Sequence, residues 1–293
     1  GSAIKPFIFG AALEKGFSPK TLINDLPINF SAESTGGTLW EPKNFNNLYL
    51  GPISMKEALT KSQNMVSIRL VKDITPKFAQ SYIRRFGFET SRNPPYFTLA
   101  LGAGAVTPLQ LAVGYSMIAN GGYYVKPHFI DRIVDANGRL IRKYEPLKSG
   151  NENHRVTDSR HTYILNNLLS DVISNGTGRK AKILKRPDIA GKTGTTNNAV
   201  DAWFAGYQPT ITAISWMGFD SPQSLGKNQT GSAVALPIWI DFMREALKNV
   251  PISFPVEPPG IIRINDNLYT EDTLPPRGIQ TIDINFLDDE INF

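Results

Sequence analysis

Three short patterns of chemistry-bearing residues occur in a fixed order along this sequence: Ser2-Ala3-Ile4-Lys5, Ser62-Gln63-Asn64 and Lys192-Thr193-Gly194. A serine hydroxyl is a poor nucleophile unless a neighbouring base removes its proton. Lysine serves as that base only when desolvation or a nearby positive charge lowers its pKa from about 10.4. Lys5 sits among Ile4, Pro6 and Phe7, and a second cation at Lys192 would push in the same direction. On a helix, the spacing of three places the Ser2 hydroxyl and the Lys5 amine on one face. Ser62 could then relay the proton to a leaving amine, and Asn64 could hold both Lys5 and a substrate amide. Backbone N–H groups at Ser2 and Thr195 could form an oxyanion hole, a contribution often worth about 3 kcal/mol per donor.

The stretch from Ala190 through Thr196, followed by residues 201–207, gathers a cation, hydroxyls and glycines in an extended-looking segment. Glycine lets a ligand approach the backbone closely. On an exposed sheet edge, such a segment can hold an extended peptide as an added strand. Lys192 would supply a fixed charge for an anionic group, and Thr193, Thr195 and Thr196 would donate hydrogen bonds beside Gly194. Taken alone, the stretch also reads as a glycine-rich loop with solvated threonines. The same short patterns recur at Ser224-Leu225-Gly226-Lys227, Ser91-Arg92-Asn93 and Ser149-Gly150-Asn151. Context separates them, because only Ser2 opens an apolar helix and Lys-Thr-Gly occurs once.

The elements that must position these residues follow from the patterning. Residues 3–15 read as an apolar helix capped by Ser2 and ended by Gly16. Residues 17–53, rich in Pro, Asn, Gly and Thr, read as a long surface excursion that walls one side of the cleft. Ser54 to Glu57 is a capping-box pattern opening a helix that breaks at residues 62–64 and resumes over 65–71. Thr75-Pro76 and Thr107-Pro108 open further helices, the second ended at residues 120–122. Residues 123–145 alternate around Asn137-Gly138 as a hairpin. A long helix spans 158–174, strands lie at 188–196, 201–207 and 210–219, and a helix with Pro237 spans 233–248. From about residue 251 the chain turns Pro-rich and then acidic, which predicts a loosely packed appendage. The pattern predicts an α+β fold, a mainly helical region against an antiparallel sheet.

Composition narrows the function classes. The 293 residues are 41% hydrophobic, with mean hydropathy −0.21 and no apolar run near 18 residues, so nothing here spans a membrane. Cysteine is absent, which removes disulfides, thiolate sites and a cysteine nucleophile. His128, His154 and His161 lack ligand spacing, so neither a metal nor another cofactor is expected. The net charge of +5 is scattered, without an arginine-rich run, and argues against nucleic acid as a partner.

The three elements match the set found in β-lactamases and penicillin-binding proteins, with Gln63 where the middle element commonly has Asp. Over residues 1–250 the chain resembles the transpeptidase domain of class A, type 1A-like, penicillin-binding proteins. The resemblance rests on residues 1–7, 58–66, 99–104, 118–122 and 176–181, and most specifically on the run from Gly191 through Gly206. It implies a penicillin-binding/serine β-lactamase-like fold, with 1–250 as transpeptidase domain and 251–293 as a C-terminal extension. It further implies that Ser2 attacks the D-Ala-D-Ala bond of a peptidoglycan stem peptide and passes the acyl group to a neighbouring amine. Ser2, Lys5, Ser62, Asn64 and Lys192 would be catalytic, while Thr193, Gly194, Thr195 and Thr196 bind the substrate or β-lactam. The expected location is the periplasmic face of the cytoplasmic membrane. In this family the nucleophile follows strands that this sequence lacks, so the missing N-terminal part of the same protein is an expected partner for an exposed sheet edge.

Three other readings stand beside it. A D,D-carboxypeptidase would use water as acceptor, which no short motif reveals. A β-lactamase needs a deacylating base; Glu89 and Asn93 are four apart, but Arg92 stands where Leu is expected. A non-catalytic wall-peptide or antibiotic sensor would require the Lys5 or Ser62 role to be lost, and both residues are present.

Overall fold

The computed structural model describes residues 1–32, 39–274 and 280–284. Helix α1 (Lys5–Glu14) is apolar around its whole circumference, and Phe7, Ile8, Phe9, Ala11 and Ala12 are fully buried. Phe7 meets Phe86, Phe88 and Tyr115 edge-on, with ring centroids 5.1, 4.8 and 5.5 Å away. The helix stops at Gly16, whose φ is +88°. There Gly16 N–H donates to Leu13 and Phe17 N–H to Ala12, the bond pair that closes a helix on a left-handed glycine. Its start differs from the expectation that Ser2 caps it. The chain makes a 3-10 turn over Ser2–Ile4 with Gly1 in the cap position and no side-chain capping bond. The turn shifts the cap back by one residue and leaves the Ser2 hydroxyl uncommitted to the backbone.

Residues 17–53 are not only a surface excursion. Strands β1 (Leu22–Asp25) and β2 (Gly51–Ser54) pair antiparallel, and Ile23 and Ile53 enter the core. Ser54 accepts from Glu57 N–H at 3.1 Å and opens α2 (Met55–Lys61), which a break at residues 62–63 separates from α3 (Asn64–Ile74). Helices α4 (Pro76–Arg85) and α5 (Pro108–Ala119) start on Thr75 and Thr107, whose hydroxyls accept from Phe78 and Gln110 N–H groups. A short hairpin, β3 (Arg132–Val134) and β4 (Leu140–Lys143), turns at Asn137-Gly138. Asp158 then caps α6 (Ser159–Ser174).

The sheet β5 (Ala190–Thr195), β6 (Ala202–Gln208), β7 (Ile211–Met217) is antiparallel in that spatial order, with helices on both faces. Along β6, Trp203, Ala205 and Tyr207 join the core around α1. Ala202 and Phe204 face the other way, toward α7 (Leu236–Ala246), where Phe204 meets Trp239 edge-on at 4.9 Å. This is the alternation a strand covered on both faces must show. Among the described residues β5 and β7 each pair on one side only. The α+β architecture is the expected one.

The described part of the tail is largely exposed, as expected, but is anchored at two points. After the hairpin β8 (Ile261–Ile264) and β9 (Asn267–Thr270), with Leu268 and Tyr269 buried, β10 (Thr281–Ile282) pairs parallel with β1. Asp283 then meets Arg69 at 3.0 Å. Two residues of strand are too few to register as alternation, which is why composition pointed elsewhere. Phe7→Ala is expected to cost roughly 3–5 kcal/mol, because three rings lose their common neighbour. Urea denaturation measures this, and a loss under about 1 kcal/mol would show that the cluster does not carry the core.

Candidate active site

The break between α2 and α3 supplies the centre of the site. Ser62 is left-handed (φ 60°, ψ 40°), which is uncommon for a residue with a Cβ and costs backbone strain. Bonds from Ser62 N–H to Leu59 and from Gln63 N–H to Ala58 hold it there. This conformation turns both the carbonyl and the hydroxyl of Ser62 toward α1. Lys5 Nζ donates to the Ser62 carbonyl and to Asn64 Oδ1, each at 2.7 Å, and lies 3.4 Å from Ser62 Oγ. From the sheet, Lys192 Nζ donates to Ser62 Oγ at 2.8 Å and to the Thr193 carbonyl at 3.0 Å. One serine oxygen therefore lies between two buried amines.

Burial dominates the electrostatics, because a low-dielectric site disfavours an ammonium ion. It drives Lys5 well below its ordinary range, Lys192 adds to the effect, and Asp25 opposes it. Burial also lowers Lys192 to about 7. A neutral Lys5 can accept a proton, and Lys192 near 7 can carry charge when an anion approaches.

The turn bearing Ser2 lies against β5. A Cβ added at Gly194 would stand 3.1 Å from Ala3 Cβ and 3.1 Å from Ala3 N, a tight contact that glycine relieves where the two backbones meet. Ser2 is thereby placed one helical turn ahead of Lys5 and beside the strand of Lys192. Further along β5, the Thr193 hydroxyl is 2.6 Å from that of Thr177. Thr195 Oγ1 accepts from Gly231 N–H at 3.0 Å, which leaves its own proton to donate. Thr196 lies past the strand end, where its hydroxyl accepts from Asp201 N–H at 2.7 Å within the connection to β6.

Lys5, Ser62, Asn64 and Lys192 thus form one hydrogen-bonded cluster, with Ser2 and residues 193–195 alongside. The competing patterns lie elsewhere. Ser224 donates to the Asn198 carbonyl on an exposed turn. The Glu89 carboxylate is held by Gln110 at 2.7 Å and Arg92 at 3.1 Å. Sequence reasoning did not single out Asp25, Asn44, Thr177 or Gly231. Thr177 stands inside the 176–181 run that carried the resemblance, whereas Asn44 sits in a segment without periodicity.

Residues 1–244 match the family model described as "Penicillin binding protein transpeptidase domain". Penicillin-binding protein 1A of Neisseria lactamica is 44% identical over 272 residues, covering 93% of this chain and 34% of that protein. Penicillin-binding protein 1A of Pseudomonas aeruginosa is 40% identical over 321 aligned positions, covering 94% and 39%. The chain spans about a third of the length of these relatives. The crystal structure of Penicillin-Binding Protein 1A from Haemophilus influenzae superposes with a TM-score of 0.85 at 31% identity, covering 95% of this chain and 46% of that one. PonA1 from Mycobacterium tuberculosis superposes at 0.74 with 24% identity, covering 88% and 72%, a likeness of fold.

A buried amine works against folding. The folded value of Lys192, about 7, lies below its unfolded 10.5, so the unfolded chain binds more protons between those values. Stability should rise as pH climbs through that window, and Lys192→Met should flatten the rise and raise the unfolding free energy at pH 7. Urea denaturation at pH 7 and 9.5 measures both, and an unchanged pH slope in the variant would contradict the buried cation.

Proposed function

Because the chain belongs to the penicillin-binding protein transpeptidase domains, we propose that it cross-links peptidoglycan stem peptides by D,D-transpeptidation through an acyl-enzyme on Ser2. The observation that carries this reading is the shared Ser62 oxygen between buried Lys5 and Lys192. It supplies a desolvated base, a proton relay and an anion anchor within one hydrogen-bonded unit.

In the reaction, neutral Lys5 takes the Ser2 proton as Oγ attacks the carbonyl of the penultimate D-Ala. Backbone N–H groups of Ser2 and Thr195 hold the oxyanion. Ser62 passes the proton to the leaving amine, D-Ala departs, and the acyl group stays on Ser2. An amine from a second stem peptide then attacks the ester by the same steps reversed, regenerating Ser2. Lys192, Thr193 and Thr195 hold the terminal carboxylate, and the free edge of β5 pairs with the substrate backbone. Asn64 Nδ2 donates one proton to Lys43 and keeps a second for a substrate amide. A β-lactam mimics the dipeptide and is trapped on Ser2. With Glu89 tied to Gln110 and Arg92, no carboxylate of that pair is aimed at the ester, which favours transfer over hydrolysis. Residues 1–250 form the transpeptidase unit, 251–293 an extension, and the reaction takes place at the periplasmic face of the membrane. Among the described residues no helix is long and apolar enough to cross a membrane.

Incubation with a penicillin should give one stable covalent adduct by intact mass, absent from Ser2→Ala. Lys5→Ala should slow adduct formation by roughly a thousandfold. The second-order acylation rate should rise as Lys5 loses its proton and fall above about 7 as Lys192 loses its charge. Rapid turnover without an adduct would replace this reading by a hydrolase, and no reaction at all would overturn it.

A further inference from the structure

Behind the catalytic turn lies a carboxylate that the chemistry above does not use. Asp25, at the end of β1, is fully buried. Its oxygens accept from Asn44 Nδ2 at 2.9 and 3.0 Å, from Gln63 Nε2 at 2.9 Å and from Leu50 N–H at 3.1 Å. Asn44, buried as well, presents its other end to the start of α3. Its Oδ1 accepts from Asn64 N–H at 2.8 Å and Met65 N–H at 3.3 Å, while Nδ2 also reaches the Leu48 carbonyl. The adjacent Lys43 carbonyl accepts from Asn64 Nδ2 at 2.8 Å, which obliges Asn64 Oδ1 to face Lys5.

We propose that Asp25 and Asn44 are positioning residues: acting through Asn44 and Gln63, the Asp25 carboxylate fixes the 62–64 turn so that Ser62 and Asn64 present their oxygens to Lys5. The proposal rests on the acyl-transfer reading of Ser2 and Lys5. A left-handed residue followed by an extended one has no helical ladder to hold it, so the turn needs ties from outside. Polarity sets the direction of each tie. A carboxylate only accepts, so it takes the Asn44 amide nitrogens and leaves Oδ1 for the unpaired N–H groups that begin α3. The same logic gives a physical reason for glutamine at position 63. A carboxylate there would face Asp25 with no proton to share, and the tie would become a repulsion. The basic groups near Asp25 are Arg69 on α3, which is charged, and Lys5 on α1, whose charge burial disfavours. Arg69 is itself held by the Leu26 carbonyl and by Asp283. Burial raises the Asp25 carboxyl above its ordinary value, and the bonds from Asn44 and Leu50, with the nearby Arg69, offset only part of that rise.

The test compares four proteins: the parent, Asn44→Asp, Asp25→Asn and the double exchange. Each is assayed for the second-order rate of acylation by a fluorescent penicillin, at a temperature where circular dichroism shows it folded. Asn44→Asp sets two carboxylates face to face and should slow acylation roughly tenfold or more. Asp25→Asn opposes two amides and should slow it less. The double exchange puts a donor opposite an acceptor again and should recover most of the parental rate. Gln63→Glu should resemble Asn44→Asp. Single variants within about twofold of the parent, or a loss that the double exchange leaves in place, overturn the proposal. If the parent itself forms no adduct, the proposed function falls, and amide hydrogen exchange at Asn64 and Met65 decides the inference. Protection lost in Asn44→Asp and regained in the double exchange supports it, and protection unchanged in all four overturns it.

Discussion

The site depends on one constraint: two amines taken out of water share a single hydroxyl oxygen. Lys192 Nζ lies 2.8 Å and Lys5 Nζ 3.4 Å from Ser62 Oγ. Burial, to which Lys192 adds its repulsion at Lys5, prevents both from carrying full charge at neutral pH, and Lys5 gives way. In the proposed reaction a weak nucleophile thereby gains a base without histidine. The arrangement is unfavourable in itself, so it exists only because the surrounding structure holds it.

That structure comes from three distant parts of the sequence. A helix enclosed on every side carries Lys5, a strained turn between two helices carries Ser62 and Asn64, and an edge strand carries Lys192. Each has its own anchor. Aromatic rings pack around Phe7, the Asp25 cluster ties down the turn, and β6 alternates its side chains between two cores. Glycine at 194 lets the first and third parts touch. Precision at the oxygen is a product of this packing around it.

Much of this was legible in the sequence, because the features were local. Caps at Ser54 and Thr107 announced their helices, the strand segments at 188–196, 201–207 and 210–219 matched β5, β6 and β7, and Asn137-Gly138 announced a hairpin. Ser2, Lys5 and Lys192 stood out by chemical type and order. What escaped depended on contacts between remote residues. Asp25 is an ordinary strand residue until Asn44, Leu50 and Gln63 converge on it. Ser2 read as a cap because the tight first turn that moves the cap to Gly1 has no signature of its own. The two-residue strand at 281–282 is too short to be periodic and forms only because β1 offers an open edge.

That last strand bears on how the molecule is made. Thr21 and Gln280, which meet where β10 joins β1, stand 259 positions apart. Pairings of such long range form late, since chain entropy must be surrendered before any contact repays it. During synthesis Thr21, beside β1, emerges 259 positions ahead of the Gln280 that helps close that edge. The helical core around α1 can condense without it. A nascent chain would therefore reach a packed interior well before the sheet behind the 62–64 turn is complete.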